Sequence, residues 1–273
     1  MENVCITLTA GDQSENHVNM QKLGNGLFDS GFDYNDLIII KKKFEDMNCN
    51  CILENLNNYL PKSNTILEVP DDTQNAYILI IRNGLNKIFE YSNDANMKNK
   101  TAIDMFNEQN NLRWDDKYYD ARRKKVLNKH ARHNLCYSNF SQEPDYENKK
   151  GTVINYNTIP ITQYVMKQFE HYFGPKVKAL ELEGNKYYDI RKCGIGAHGD
   201  SERKIVIAIR LGASIPLHYR WFYKSKPLGN LCRFTLNNGD LYVMSEKSTG
   251  HDWKKKNIKT LRHCAGAEKY LKI

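Results

Sequence analysis

The residues with the clearest chemical potential are His198 and Asp200, which are separated by a single glycine. On a β-strand, side chains two positions apart point to the same face, so an imidazole nitrogen and a carboxylate oxygen would lie side by side. These are two of the three ligands of a 2-His-1-carboxylate site, which holds non-haem iron(II) and leaves coordination positions open. The spacing therefore predicts a metal centre that needs one further histidine.

Two histidines near the end of the chain compete for the place of third ligand, His251 and His263. His251 follows a loop after the predicted strand that ends at Met244, and we favour it because the family resemblance described below implies this placement. His263 is adjacent to Arg262, so on a strand the two side chains would face opposite ways. Arg262 offers the planar fork that a carboxylate-bearing co-substrate needs, and Arg210 is the alternative.

Composition excludes several classes of protein. The chain has 273 residues, of which 40% are hydrophobic and 26% are charged, so we expect a packed core rather than disorder. No apolar run has the length of a membrane span, and residues 1–5 lack the basic and apolar segments of a secretory signal. Seven scattered cysteines, among which Cys49 and Cys51 are the only close pair, are expected as reduced thiols of an intracellular protein, cytoplasmic or nuclear. The net charge of +8 permits binding to polyanions such as nucleic acid.

We predict an N-terminal α/β extension over residues 1–95 and a catalytic domain over residues 96–273. Within the extension, residues 12–15 have the form of a capping box that opens a helix, and Asp33 is predicted to cap a second helix that includes Leu37 and Phe44. Residues 76–82 are apolar and β-branched and precede Asn83 and Gly84, which predicts a strand that enters a turn.

The second part of the chain begins with a basic run, residues 122–125, close to Trp114 and two tyrosines. Such a run suits a phosphate backbone with stacked bases, and equally a solvated helix face. A helix is predicted after Pro160, with Gly174 past its end. Short strands with tight turns follow, which predicts an α+β protein whose mainly β core is a double-stranded β-helix, or jelly roll, with flanking helices. These strands are predicted at residues 179–182, 194–198, 204–211, 217–223, 241–244 and 258–262.

Residues 159–263 resemble the AlkB-like branch of the iron(II)- and 2-oxoglutarate-dependent dioxygenases. The stretch from Ile195 to Arg203, I-G-A-H-G-D-S-E-R, is similar to the I-G-x-H-x-D-D-E-R of the family's nucleic-acid demethylases. Asn185 and Tyr187 match an N-x-Y on the preceding strand, and residues 236–244 match L-x-x-G-D-L-x-V-M. Three features depart from the pattern: a short stretch from Met244 to His251, one arginine in the closing strand instead of two, and no proline after His251.

The resemblance implies that His198, Asp200 and His251 hold Fe(II), and that O2 and the co-substrate 2-oxoglutarate react there. It implies that Arg262 takes the far carboxylate of 2-oxoglutarate, with Asn185 and Tyr187 as helpers. The resemblance also places Glu202 and Arg203 at the rim of the substrate site. The alternative interpretation of these two residues is a surface ion pair.

The leading hypothesis is hydroxylation of a C–H bond on a nucleic-acid base, most readily a methyl group of DNA or RNA. Net charge, the run at residues 122–125 and Lys254 to Lys256 beside the expected metal site favour that substrate. The alternatives are the same chemistry on a protein side chain or small molecule, and a catalytically silent nucleic-acid-binding module. No membrane and no obligate protein partner are expected. Trp221 is predicted to pack in the core rather than to stack on a base.

Overall fold

A computed structural model describes residues 3–62 and 74–273. Outside the described residues lie 1, 2 and 63–73, all of them in the predicted extension. They include two of the five residues considered for a secretory signal. The described residues form a mainly β structure with four α-helices. The strands are β1 (Cys5–Gly11), β2 (Ser14–Glu15), β3 (Lys22–Leu23), β4 (Cys51–Asn55), β5 (Tyr77–Ile81), β6 (Lys117–Asp120), β7 (Lys125–Asn128), β8 (His133–Ser138), β9 (Val153–Asn155), β10 (Glu181–Tyr187), β11 (Gly194–His198), β12 (Val206–Gly212), β13 (Ile215–Tyr223), β14 (Lys226–Leu236), β15 (Leu241–Met244) and β16 (Thr260–Gly266). The helices are α1 (Tyr34–Asp46), α2 (Gly84–Glu90), α3 (Ala102–Asn110) and α4 (Pro160–Phe173).

Two sheets carry the fold. The larger has eight strands in the order β4-β5-β15-β12-β1-β10-β8-β9, and the smaller has four in the order β11-β16-β13-β14. Neighbouring strands are antiparallel except β8 and β9. The hairpins β2–β3 and β6–β7 stand apart from both sheets.

Side-chain alternation along the central strands separates two hydrophobic clusters. In β1, Ile6 and Leu8 point to the side on which the helices pack, where they join Leu37 of α1 and Phe169 of α4. Cys5 points to the opposite side, into the cluster shared with the smaller sheet. The molecule is therefore layered as helices, large sheet and small sheet, and each central strand has one face in each of the two cores.

The boundary predicted between residues 95 and 96 does not divide the structure. Strand β1 lies in the middle of the large sheet, where Cys5 is opposite both Tyr187 of β10 and Gly212 of β12. Strand β5 pairs with β15 in the same way. Sequence reasoning missed this arrangement because the strands of one sheet come from distant parts of the chain, which local patterns do not reveal.

Helix signals were reliable where an apolar face accompanied them. Asp33 caps α1 in a capping box with Asp36, and Leu37, Ile40 and Phe44 are buried, each contributing about 1.5–3 kcal/mol by burial. The helix predicted from residue 12 is wrong, because residues 14 and 15 form β2. The Asp12 carboxylate instead accepts backbone N–H groups from across the chain, those of Phe28, Lys204 and Ile205.

Two further expectations concern composition. None of the helices in the described part of the chain combines the length and apolar character needed to cross a bilayer. All seven cysteines are free thiols, as predicted.

Candidate metal centre and its cavity

Three side chains come together where the edge strand β11 of the small sheet pairs with its neighbour β16. His198 at the end of β11, Asp200 two residues later and His263 in β16 each offer one ligand atom, and these atoms lie within 4.8 Å of one another. The Oδ1 atom of Asp200 is 3.5 Å from Nε2 of His198 and 3.7 Å from Nε2 of His263. This is the donor set of a 2-His-1-carboxylate site.

Local structure fixes the two strands against each other. His198 is directly opposite His263 in the antiparallel pair β11–β16, after an irregularity in register that follows Ile195. The Asp200 backbone N–H donates to the Thr249 carbonyl at 2.9 Å, which holds the ligand loop against a neighbouring turn. Gly199 permits this contact, because a Cβ there would lie 2.2 Å from the backbone oxygen of Gly250.

The protonation states suit a cation. Burial by itself would raise the pKa of the Asp200 carboxyl, but His263, His198 and Arg203 together hold it below its usual range. Burial and the nearby His198 lower the pKa of His263 to about 4, so at neutral pH its imidazole is uncharged and can donate a lone pair. His198 Nδ1 is 2.8 Å from the Gly196 carbonyl, which leaves its Nε2 for a ligand bond. The three residues present therefore fit a divalent metal.

His251, the predicted third ligand, is not part of this group. It lies in the turn after a short 3-10 helix (Glu246–Thr249), with Nδ1 at 3.2 Å from the Glu246 carbonyl and Nε2 at 3.8 Å from the Glu246 carboxylate. The alternation argument was correct, since His263 and Arg262 do face opposite ways, but it assumed the wrong inward face. Leu261 and Ala265 pack in the core between the sheets, which makes the odd-numbered side of β16 the inner one.

The ligand group opens on a cavity of about 1010 Å³ between the sheets. Its floor and walls are inward-facing residues of β1, β10, β12, β15, β11 and β16. This volume is at the upper end of the range for small-molecule sites and leaves room for a co-substrate beside the metal.

Arg210 is a buried cation on the wall of this cavity. Its side chain is 1% exposed and donates from Nη1 to Sγ of Cys5 at 3.4 Å. Among the described residues its Nε has no hydrogen-bond partner, and Thr7, the residue opposite it in β1, also lines the cavity. No carboxylate of the described residues pairs with Arg210.

The groups around Arg210 are neutral. Burial raises the pKa of the Cys5 thiol, and of the Tyr187 and Tyr242 hydroxyls, above their usual values, although Arg210 opposes each shift. A buried guanidinium without an anion is costly, so the cavity has the electrostatics of a site for an anionic ligand. A signal in the sequence did exist: Arg210 interrupts an otherwise apolar buried strand.

Arg262, the predicted carboxylate partner, lies outside the cavity. Its guanidinium is 4.1 Å from the centre of the Phe222 ring and 5.1 Å from that of Trp253, on the outer face of the small sheet. Arg210, the alternative, therefore lines the same cavity as His198, Asp200 and His263, and Arg262 does not.

Asn185 and Tyr187 line the cavity from β10. The Asn185 side-chain oxygen accepts hydrogen bonds from Arg132 and Asn134, whereas Tyr187 faces the space next to Arg210. Trp221 is a core residue as predicted, fully buried with its indole N–H donated to the Leu56 carbonyl.

Glu202 and Arg203 also line the cavity, but Arg203 is not a rim residue. It is 4% exposed, donates to the Glu183 carboxylate at 2.5 Å and lies 3.9 Å from the Asp200 carboxylate. Arg203 therefore braces the Asp200 carboxylate from a buried position in the cavity wall rather than from its rim. Burial raises the pKa of the Glu202 carboxyl, which faces the cavity beside it.

Positive charge surrounds the mouth. Ala121, at the turn of the β6–β7 hairpin, and Lys254 both line the opening. The exposed runs at residues 122–125 and 254–256 thus begin beside the cavity from different parts of the chain. The basic run predicted as a possible helix face is instead the tip of a hairpin.

Comparison with known proteins finds a viral relative over nearly the whole chain. No protein-family model matches the sequence. Over 267 residues, 98% of this chain and 97% of the relative, it is 44% identical to a protein described as "Uncharacterized protein R156" from Acanthamoeba polyphaga mimivirus. At that identity and coverage, the chain belongs to the same protein family as R156 of this mimivirus.

Proposed function

We propose that the protein is an Fe(II)- and 2-oxoglutarate-dependent dioxygenase. One observation carries the proposal: a single cavity is lined both by the His198–Asp200–His263 group and by Arg210, which pairs with no carboxylate of the described residues. A metal that keeps open positions and a buried cation for a dicarboxylate are the two sites this chemistry needs. Each could arise alone for structural reasons, and their coincidence in one cavity supports the proposal.

In keeping with this function, we take the two sheets to form a double-stranded β-helix. Two facing sheets of eight and four strands, antiparallel except at β8–β9, with a cavity between them, support this assignment. Strand β1 lies between β10 and β12 in the large sheet, and its pairing with β12 sets Thr7 opposite Arg210.

The residues divide into three roles. His198, Asp200 and His263 would hold Fe(II), which together with 2-oxoglutarate activates O2 so that a C–H bond becomes C–OH while succinate and CO2 are released. Arg210 would bind the far carboxylate of 2-oxoglutarate through charge-assisted hydrogen bonds. Tyr187 and Tyr242, neutral and facing the same space, would donate their hydroxyls to that carboxylate.

The proposed substrate is a nucleic acid, oxidised at a base or at a methyl group on it. The two basic runs beside the mouth can neutralise phosphates on two sides of a nucleotide that enters the cavity. A base in a duplex must be flipped out to reach the metal, which costs a few kcal/mol. The second candidate is a cationic protein side chain, which is favoured by the carboxylates of Glu15 and Glu202 on the cavity wall.

The direct test is conversion of 2-oxoglutarate to succinate by protein loaded with Fe(II), with methylated DNA, methylated RNA and lysine- or arginine-rich peptides as stimulants. We expect slow turnover alone and faster turnover with a nucleic acid. Stimulation by peptides alone would select the second candidate. A protein that binds nucleic acid yet forms no succinate in any arm would be a silent binding module and would contradict the proposal.

Replacing Lys254, Lys255 and Lys256 with Ala should weaken nucleic-acid binding equally for all sequences. Every phosphate that the variant no longer neutralises should reduce the salt dependence of binding to duplex DNA by about 0.9 in log–log slope. Electrophoretic or fluorescence titrations between low and moderate salt measure this slope. Turnover of 2-oxoglutarate without substrate should stay near that of the unaltered protein, because the metal ligands are unchanged.

The matched control is a second set of three lysines, Lys41, Lys42 and Lys43, which lies on α1 in the helical layer away from the cavity. Their replacement removes the same charge, so an effect that depends only on net charge would be the same for both variants. Equal weakening by the two variants would place the interface elsewhere.

A further inference from the structure

The loop between β2 and β3 exposes an apolar side chain at the mouth of the cavity. Val18 is 65% exposed and lines the opening, whereas Asn16 and Met20 on either side of it are buried. A single exposed valine is ordinary on a protein surface. Val18 is unusual in two respects: it lies beside the entrance of the cavity, and the loop that carries it is held by buried contacts.

Buried polar contacts hold the loop in place. The Asn16 side chain donates to the Asp115 carboxylate at 2.8 Å and accepts from the Lys129 ammonium at 2.7 Å. Farther along, the Met20 backbone N–H donates to the His17 carbonyl at 2.9 Å and closes the turn. Val18 is thus presented on a preformed turn rather than on a loose segment.

The ring next to Val18 is also uncharged. His17 stacks on Tyr118 of the β6–β7 hairpin with ring centres 3.8 Å apart. Burial, with Lys129 and Arg132 nearby, lowers the pKa of His17 to about 4, so the imidazole is neutral at physiological pH. The tip of the loop therefore combines an aliphatic side chain with the edge of an aromatic stack.

Cations surround this apolar tip. Lys22, Lys149 and Lys254 are exposed and line the same mouth, and the basic turn of the β6–β7 hairpin adjoins it. The Glu15 carboxylate lies among these cations and accepts the Asn19 backbone N–H at 3.0 Å, so the positive charge does not form a closed ring. An apolar projection flanked by lysines is complementary to a duplex, which has phosphates outside and stacked bases inside. A protein partner with an apolar pocket would gain little from the surrounding lysines.

We infer that Val18 is a wedge that enters the base stack and fills the gap left by a nucleotide turned into the cavity. The inference rests on the nucleic-acid substrate of the proposed function and goes beyond it by assigning a residue that favours duplex over single strand. Apolar wedges of this kind partly unstack a base step, and the contact they make offsets the cost of unstacking. A single strand has no stack to open, so it should not need Val18.

The test uses DNA that carries 2-aminopurine, which fluoresces when it leaves the stack, with full-length protein, Mn(II) and 2-oxoglutarate. Saturating unaltered protein should raise the fluorescence of the duplex. Val18→Ser should lower the fraction of opened duplex about tenfold, because serine lacks the apolar contact that offsets part of the cost of unstacking a base step. The affinity of this variant for the same sequence as a single strand should stay unchanged. Val18→Leu, which keeps an apolar tip, should behave as the unaltered protein does.

Ile39→Ser is the matched control, because Ile39 is also 65% exposed but lies on α1, away from the cavity. Equal opening by Val18→Ser and the unaltered protein would overturn the wedge alone and leave the substrate class standing. A protein that binds neither strand form but still converts 2-oxoglutarate would overturn both the wedge and the nucleic-acid substrate, yet not the reaction class.

Discussion

His263→Ala should abolish binding of Fe(II) or Mn(II), while His251→Ala should bind either metal as the unaltered protein does. The reason is position: the ligand atom of His263 lies within 4.8 Å of those of His198 and Asp200, whereas the His251 ring lies beside Glu246 in a neighbouring turn. Loss of a partner that merely orients a ligand costs 10- to 100-fold in metal affinity, so loss of the ligand itself should cost more than about 100-fold. Succinate production should fall with it.

Thermal unfolding with and without Mn(II) measures this without any turnover. A metal at a hundred times its Kd stabilises the folded state by about 2.7 kcal/mol, which for a chain of this length should raise Tm on the order of 5 °C. We expect that rise for the unaltered protein and for His251→Ala, and none for His263→Ala or Asp200→Ala. Circular dichroism of each variant checks that it folds. If metal binding required His251 and not His263, the third ligand would be the one implied by the AlkB-like resemblance, and the assignment from geometry would be wrong.

Arg210→Met should weaken 2-oxoglutarate binding by about ten- to a hundredfold, which corresponds to the 1.5–3 kcal/mol of a hydrogen bond to a charged group. The same substitution should leave the ligand-free protein as stable as before or more stable. Arg210 is buried with no anion and an unpaired Nε, and replacing such a charge by an apolar side chain of similar length removes a desolvation cost. Calorimetric titration of the Mn(II) form and thermal unfolding of the metal-free form measure the two effects.

Arg262→Met is the control, and it should give the reverse pattern. Arg262 lies over the Phe222 and Trp253 rings on the outer face of the sheet, so its removal should cost about 0.5–1 kcal/mol of stability for each ring contact. The same change should not alter the Kd for 2-oxoglutarate. If Arg262→Met abolished co-substrate binding and Arg210→Met kept it, the anion site would lie outside the cavity and the proposed arrangement would be wrong.

Patterns confined to a few consecutive residues could be interpreted from the sequence. Asp33 and the apolar spacing after it predict α1, Pro160 and Gly174 frame α4, and His198 and Asp200 do lie in the group that the H-x-D spacing predicts. In each case neighbouring residues determine the structure: a cap satisfies the free N–H groups of its own helix, and a two-residue spacing keeps two side chains close.

The partners of these residues depended on which strands lie next to one another. His263 rather than His251 completes the ligand group because β16 pairs with β11 in a register that sets His263 opposite His198. Arg210 rather than Arg262 faces the cavity because the inner side of each strand is decided by the layer it packs against.

The place of β1 was the least accessible from the sequence, since its pairing with β10 and β12 joins residues about 170–207 positions apart. By itself the sequence determined the pairing of His198 with Asp200, the helices α1 and α4 and the basic runs. Tertiary structure decided that His263 joins this pair, that Arg210 faces the cavity, and that strands from both predicted domains form one sheet. The order of the strands, and the side to which their side chains point, follow from the burial of entire sheet faces, which no single stretch of the chain specifies.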